Sequence, residues 1–183
     1  MEKLKVLLDE GKLVELGKEI EKIREEVNNL RRNKRNYSEA NKLENELNTF
    51  INNAFEDLKE KAERFLELSP DERLKMAFIL AAKSTVVEGM KTTQIRKILS
   101  MSNHIYREIK TRRLTDISAE IAKIRYILAY TASRHKSKRS DPITPILEVS
   151  DKILRKLDRE NYGIFHEFLQ AVVAYHIFLG GGE

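Results

Sequence analysis

Residues 165–179, FHEFLQAVVAYHIFL, constrain the fold more than any other stretch of the chain. Phe165, Phe168, Leu169, Val172, His176 and Leu179 recur at helical spacing on one face, while Val173, Ile177 and Phe178 make the opposite face apolar too. A helix that is apolar all round belongs at the centre of a bundle or in an interface, so the rest of the chain must wrap it with further helices. Gly180 supplies the left-handed stop. His176 has no carboxylate, serine or second histidine at a useful spacing, and the segment predicts a structural histidine hydrogen-bonded within a helix buried on all sides.

The wrapping helices are legible from period and punctuation. Leu13, Leu16, Ile20, Ile23, Val27 and Leu30 follow spacings of 3 and 4, and a second narrow stripe runs from Leu43 through Leu47, Phe50, Ala54, Leu58 and Ala62 to Phe65. Ser38 is the expected N-cap of the second stripe, which makes the pair an antiparallel hairpin over residues 1–68 that packs on the remainder or projects from it. Ser69, Pro70 and Glu72 form a strong helix start, and the helix that follows is apolar on most sides up to a break at Gly89. Thr92 or Thr93 is the expected cap of the next helix, with Ile95, Ile98, Leu99, Ile105, Tyr106 and Ile109 facing inward. Thr115 or Asp116 caps a fourth, with Ile117, Ile121, Ile124 and Leu128 inward. Pro142 and Pro145 sit in the first turn of a fifth. No alternation of period 2 appears. The class is all-α: a bundle of about five core helices over 69–183 with the N-terminal hairpin before it.

Several functions are excluded by what the chain lacks. It has no cysteine, hence no disulfide, thiolate nucleophile or Cys-ligated zinc. The four histidines fall at spacings that bring no metal-ligand set to one point, so neither metal nor cofactor is expected. The glycines at 180–182 follow a helix where phosphate-binding glycines precede one, and no GxSxG is present. Neither a secretory leader nor a membrane-spanning run appears, which predicts a cytoplasmic protein without membrane contact.

Charge is unevenly placed. Residues 1–90 hold 17 basic and 19 acidic side chains, a net of −2, whereas 91–139 hold 13 basic and 3 acidic, a net of +10. Such a concentration is the footprint expected of a surface that meets a phosphate backbone. Arg96, Asn103, Arg107 and Lys110 line one helix edge roughly 20 Å long at 1.5 Å per residue. Lys97, Arg125, Arg134, His135, Lys136, Lys138 and Arg139 complete the candidate RNA-binding set, the last five crowding a polar loop. An alternative is catalytic: Arg159 and His166 in RENYGIFH resemble the R-X4-6-H signature of the helical HEPN ribonucleases, with Glu160 where those usually carry Asn, Asp or His. A third reading is a helical subunit that docks only proteins.

Three ordered stretches carry a more specific likeness. TTQIRKIL at 92–99, IRYILAYTASR at 124–134 and FLQAVVAYHIFLGGG at 168–182 together resemble the small subunit of the type III-A CRISPR interference complex, the Csm complex, over about residues 75–183. The resemblance implies a non-catalytic structural subunit of an antiviral ribonucleoprotein. Its copies would stack as a filament beside the backbone subunits and contact guide and target RNA through the phosphate backbone. Arg96 and Lys97 match the basic pair of the first motif, Arg125 and Arg134 the arginines of the second, and Gln170 stands where relatives often carry an acid.

Overall fold

The computed structural model describes residues 1–32, 36–111, 113–137 and 140–182, so the predicted contacts Lys138 and Arg139 lie outside the described residues. Among the described residues there are eight α-helices and no strand. They are α1 (Glu2–Asp9), α2 (Leu13–Arg32), α3 (Tyr37–Lys61), α4 (Pro70–Ala82), α5 (Thr92–Lys110), α6 (Ser118–His135), α7 (Thr144–Leu154) and α8 (Tyr162–Phe178). A 3-10 segment (Ala62–Glu67) follows α3, and a π turn (Lys83–Val87) follows α4.

The segment apolar on both faces does lie at the centre. α8 packs between α4 and α5, and α4, in which Met76 to Ala82 are all buried, also receives α3. Phe165, Val172 and Leu169 on α8 are buried together with Phe78 and Leu80 of α4 and Ile95 of α5. The burial is not uniform along α8, however: Ile177 is 51% and Phe178 40% exposed, so the last turn is open on its outer side. Phe178 rests on α2 at Gly17, where a Cβ would lie 2.2 Å from its ring.

The hairpin folds back onto this core instead of projecting. Its narrow stripes do face each other, with Leu16, Ile20 and Ile23 buried against α3. In addition Ile51 and Phe55, which the predicted stripe left out, widen the buried side of α3, which packs on α4 and the π turn as well as on α2. A helix with so wide an apolar side cannot stand alone in water. Polar links tie the same seam: Lys83 donates to Asn52 Oδ1 at 2.9 Å, and Arg24 donates to the Leu179 carbonyl at 2.7 Å, placing a cation at the negative end of α8. α1, absent from the periodicity reading because it is short, buries Leu4 and ends at Gly11 with φ 72°.

The caps divide into those that local sequence dictates and those that it does not. Ser69 and Glu72 make the reciprocal capping box, with Ser69 N–H donating to Glu72 at 2.9 Å. Asp116 accepts from Ser118 N–H and Oγ–H at 2.9 and 2.7 Å, closing the turn before α6. Ser38, by contrast, lies inside α3, whose cap position is Asn36. Thr92 is the first residue of α5, and its hydroxyl is engaged elsewhere.

Candidate nucleic-acid interface

The long amphipathic α5 has a buried face of Ile95, Ile98, Ser102 and Ile105 set against α8. The opposite face therefore points to solvent. It carries Arg96, Lys97, Ser100, Asn103, His104, Arg107 and Lys110, all exposed, while Glu108, the single acid of α5, is half-buried at the edge of this face and lies 3.7 Å from Arg113. With 1.5 Å per residue the charged row from Arg96 to Lys110 extends roughly 21 Å. The Lys110 ammonium lies 5.3 Å from the centre of the Tyr106 ring.

α6 returns alongside α5, and the cleft between them, about 240 Å³, is lined by Ser100, His104, Glu120 and Lys123 among others. Beyond the cleft, the outer face of α6 presents Lys123, Tyr126, Tyr130 and Arg134. Arg134 holds its guanidinium 5.6 Å from the Tyr130 ring centre and donates to the Tyr130 hydroxyl at 3.3 Å. His135 and Lys136 follow, both exposed, with Lys136 3.4 Å from the Asp141 carboxylate.

Arg125 is set apart from the other cations. It lies on the α7 side of α6, where its Nε donates to Asp151 Oδ1 at 2.6 Å while Arg155 binds the other oxygen. Burial pushes the Asp151 carboxyl up, but the hydrogen bonds from both arginines outweigh it and hold the group below its ordinary value. Arg125 thus joins α6 to α7. The predicted set is accordingly divided: Arg96, Lys97, Arg107 and Lys110 share one ridge, Arg134, His135 and Lys136 share the end of α6, and Arg125 is drawn inward.

Both candidate histidines of α8 are spoken for within the core. Thr92 donates to the Gly181 carbonyl at 3.2 Å, so His176 Nε2–H donates to Thr92 Oγ1 at 3.0 Å and Nδ1 accepts from Thr85 at 2.7 Å. Burial, with Arg96 nearby, pushes the imidazole below its usual value and keeps it neutral. This chain of bonds accounts for the glycines. Gly180 at φ 75° closes the helix, with Gly181 N–H donating to His176 O at 2.9 Å. At Gly181 a Cβ would lie 2.2 Å from His176 Nε2, so only glycine lets the chain cross the ring. Gly182 O then accepts from Thr92 N–H at 2.9 Å, capping α5. The buried histidine thereby fixes the start of the helix that carries Arg96 and Lys97.

His166 is likewise internal. Tyr162 donates to Ser102, whose hydroxyl shares a hydrogen bond with His166 Nδ1, each at 3.1 Å, and the imidazole stacks on Tyr106 with centroids 4.6 Å apart. Burial lowers its basicity and raises the Tyr162 hydroxyl to about 12. A ring so enclosed is not open to a phosphodiester, and this geometry does not serve the Arg159–His166 ribonuclease alternative.

Among the described residues no group of three or more His, Asp or Glu side chains is placed to hold a metal ion, and no helix is long and apolar enough to cross a membrane. Tyr126 and Tyr130 were outside the predicted set. Their signal, two aromatics a turn apart on the face opposite the aliphatic stripe, needs the burial pattern before it can be read.

Comparison with known proteins agrees with the second half of the chain. The family described as Csm2 Type III-A matches over residues 67–182. A curated relative from Streptococcus thermophilus, named "CRISPR system Cms protein Csm2", is 27% identical over 94 residues, covering 51% of this chain and 76% of the relative.

Proposed function

From the chain's membership of the type III-A Csm2 family, shown by the match over residues 67–182, we propose that its basic face holds the backbone of guide and target RNA within the effector complex. As a family member the chain is a structural subunit of a type III-A CRISPR complex, with the other Csm subunits as partners. The observation that carries the RNA reading is the outer face of α5, where four exposed cations are spread over roughly 21 Å and the helix's single acid, Glu108, is half-buried and paired with Arg113. Arg134, His135 and Lys136, and in the sequence Lys138 and Arg139, extend it past the end of α6. Arg125 enters this reading as a brace for α6 and not as a phosphate contact.

Stacking of several copies in a filament beside the backbone subunits is supported by the open end of α8. Ile177 and Phe178 are exposed there, and Val14, one turn before Gly17 on α2, is exposed as well. Residues 69–183 would carry these roles, and the hairpin of 1–68 would brace the bundle from behind.

The test is charge reversal. Arg96, Lys97, Arg107 and Lys110 are changed together to Glu, and binding to labelled RNA is measured across a salt series. Loss of four phosphate contacts should lower the slope of log K against log salt by about 3 for a single strand and weaken binding at least about 100-fold at moderate salt. Unchanged affinity with an unchanged slope would overturn the assignment.

A further inference from the structure

Resting on the RNA reading above, we infer that the outer face of α6 is a stacking site for unpaired nucleobases, formed by Tyr126 and Tyr130. These rings are 62% and 58% exposed, although α6 already buries Ile121, Ile124, Leu128 and Ala132. The fold therefore gains little packing from them. They lie one turn apart, about 6 Å along the axis, on a face bounded by Lys123 and Arg134. Glu120, the single acid of α6, is half-buried in the cleft toward α5, one turn before Lys123 and beyond the pair of rings.

Charge and chemistry select the occupant. A cation at each end of an aromatic pair complements a ligand with phosphates at nucleotide intervals and π faces between them. The Arg134 guanidinium already covers one side of the Tyr130 ring, which orients the ring before anything binds. Lys123 shares its cleft with His104 of α5, so the tyrosine face is continuous with the basic row of that helix. A strand whose phosphates follow α5 can lay its bases on α6 only if those bases are unpaired, because a duplex keeps its base faces stacked internally. The site therefore distinguishes single-stranded from double-stranded RNA without reading sequence.

The experiment uses the full chain with three RNAs of equal phosphate count: an oligouridine, its abasic counterpart and a duplex. Binding is measured by anisotropy over a salt series. The chain contains six tyrosines and no tryptophan, so tyrosine emission reports stacking directly. The oligouridine should bind at least 10-fold tighter than the abasic strand and quench the emission. Changing Tyr126 and Tyr130 together to Ala should abolish that preference and the quenching, at an unchanged salt slope and melting temperature, and the double Phe variant should restore the preference without the tyrosine quenching. Equal binding of uridine and abasic strands with a normal salt slope would overturn the stacking site and leave the phosphate surface standing. Absence of salt-dependent binding to any of the three would overturn both. If the Ala variant instead alters self-association by light scattering and leaves RNA binding intact, the face docks protein and the inference fails.

Discussion

The end of α8 and the outer faces of α5 and α6 hold the most informative polar side chains of the molecule, and they treat them in opposite ways. Around His176 both ring nitrogens are bonded, the carbonyls of Gly181 and Gly182 are bonded, and water is excluded. On α5 and α6, Arg125 aside, the cations are exposed, and apart from Lys136 beside Asp141, the Arg134–Tyr130 hydrogen bond and two ring contacts they lack a described protein partner. A buried polar group is costly unless satisfied, so the first arrangement specifies structure. A row of exposed cations adds little to folding, and the second leaves its charge available at the surface.

This contrast can be broken most directly at His176. Replacement by Leu would leave the Thr85 and Thr92 hydroxyls buried without their ring partner and should cost about 3 kcal/mol by chemical denaturation, while RNA affinity of the folded fraction changes little. A large loss of RNA affinity with unchanged stability would merge the two regions. Gly181→Ala should follow at about 2 kcal/mol, since its Cβ meets a ring enclosed on both sides. Gly17→Ala makes an equally close approach to Phe178 but should cost under about 1 kcal/mol, because that ring can swing outward from the surface.

Acid should separate the regions next. His166 and His176 are held neutral in the folded state, whereas in the unfolded chain each takes a proton below its ordinary value near 6.5. Their contribution is therefore complete above that pH and is lost as pH falls below it, by at most about 1.4 kcal/mol per pH unit for each histidine. Thermal melts from pH 7.5 to 5 would show the fall, and His176→Leu should remove part of it. The smallest effects sharpen the division within the cations. Arg125→Ala should cost about 1 kcal/mol through loss of the Asp151 pair and barely change RNA binding. Arg134→Ala should stay within about 0.5 kcal/mol in stability and weaken binding several-fold. The reverse pattern would exchange their roles.

Much of the bundle was legible because burial imposes a period. The stripes of α2, α5 and α6, the Ser69 capping box and the centrality of α8 all follow from side chains that repeat every three or four residues. The basic character of the candidate face was legible too, since charge density survives any fold. Three things were not. Ile51 and Phe55 fall outside the narrow stripe that the spacing picks out, and only the packing of α3 on α4 and the π turn as well as α2 accounts for their burial. Arg125 reads as one more cation in a basic window until α7 brings Asp151 to it. Thr92 reads as a cap, yet its hydroxyl serves a histidine 84 residues away.

An all-α chain with a core helix at 165–179 and a positive window at 91–139 follows from the order of residues alone, because periodicity and charge are local properties. Which cations stay exposed, why a second glycine must follow Gly180, and that two tyrosines are left in solvent beside Lys123 and Arg134 emerge once the helices are packed. Those outcomes depend on which helices meet, and contacts between residues distant in the chain leave no period behind.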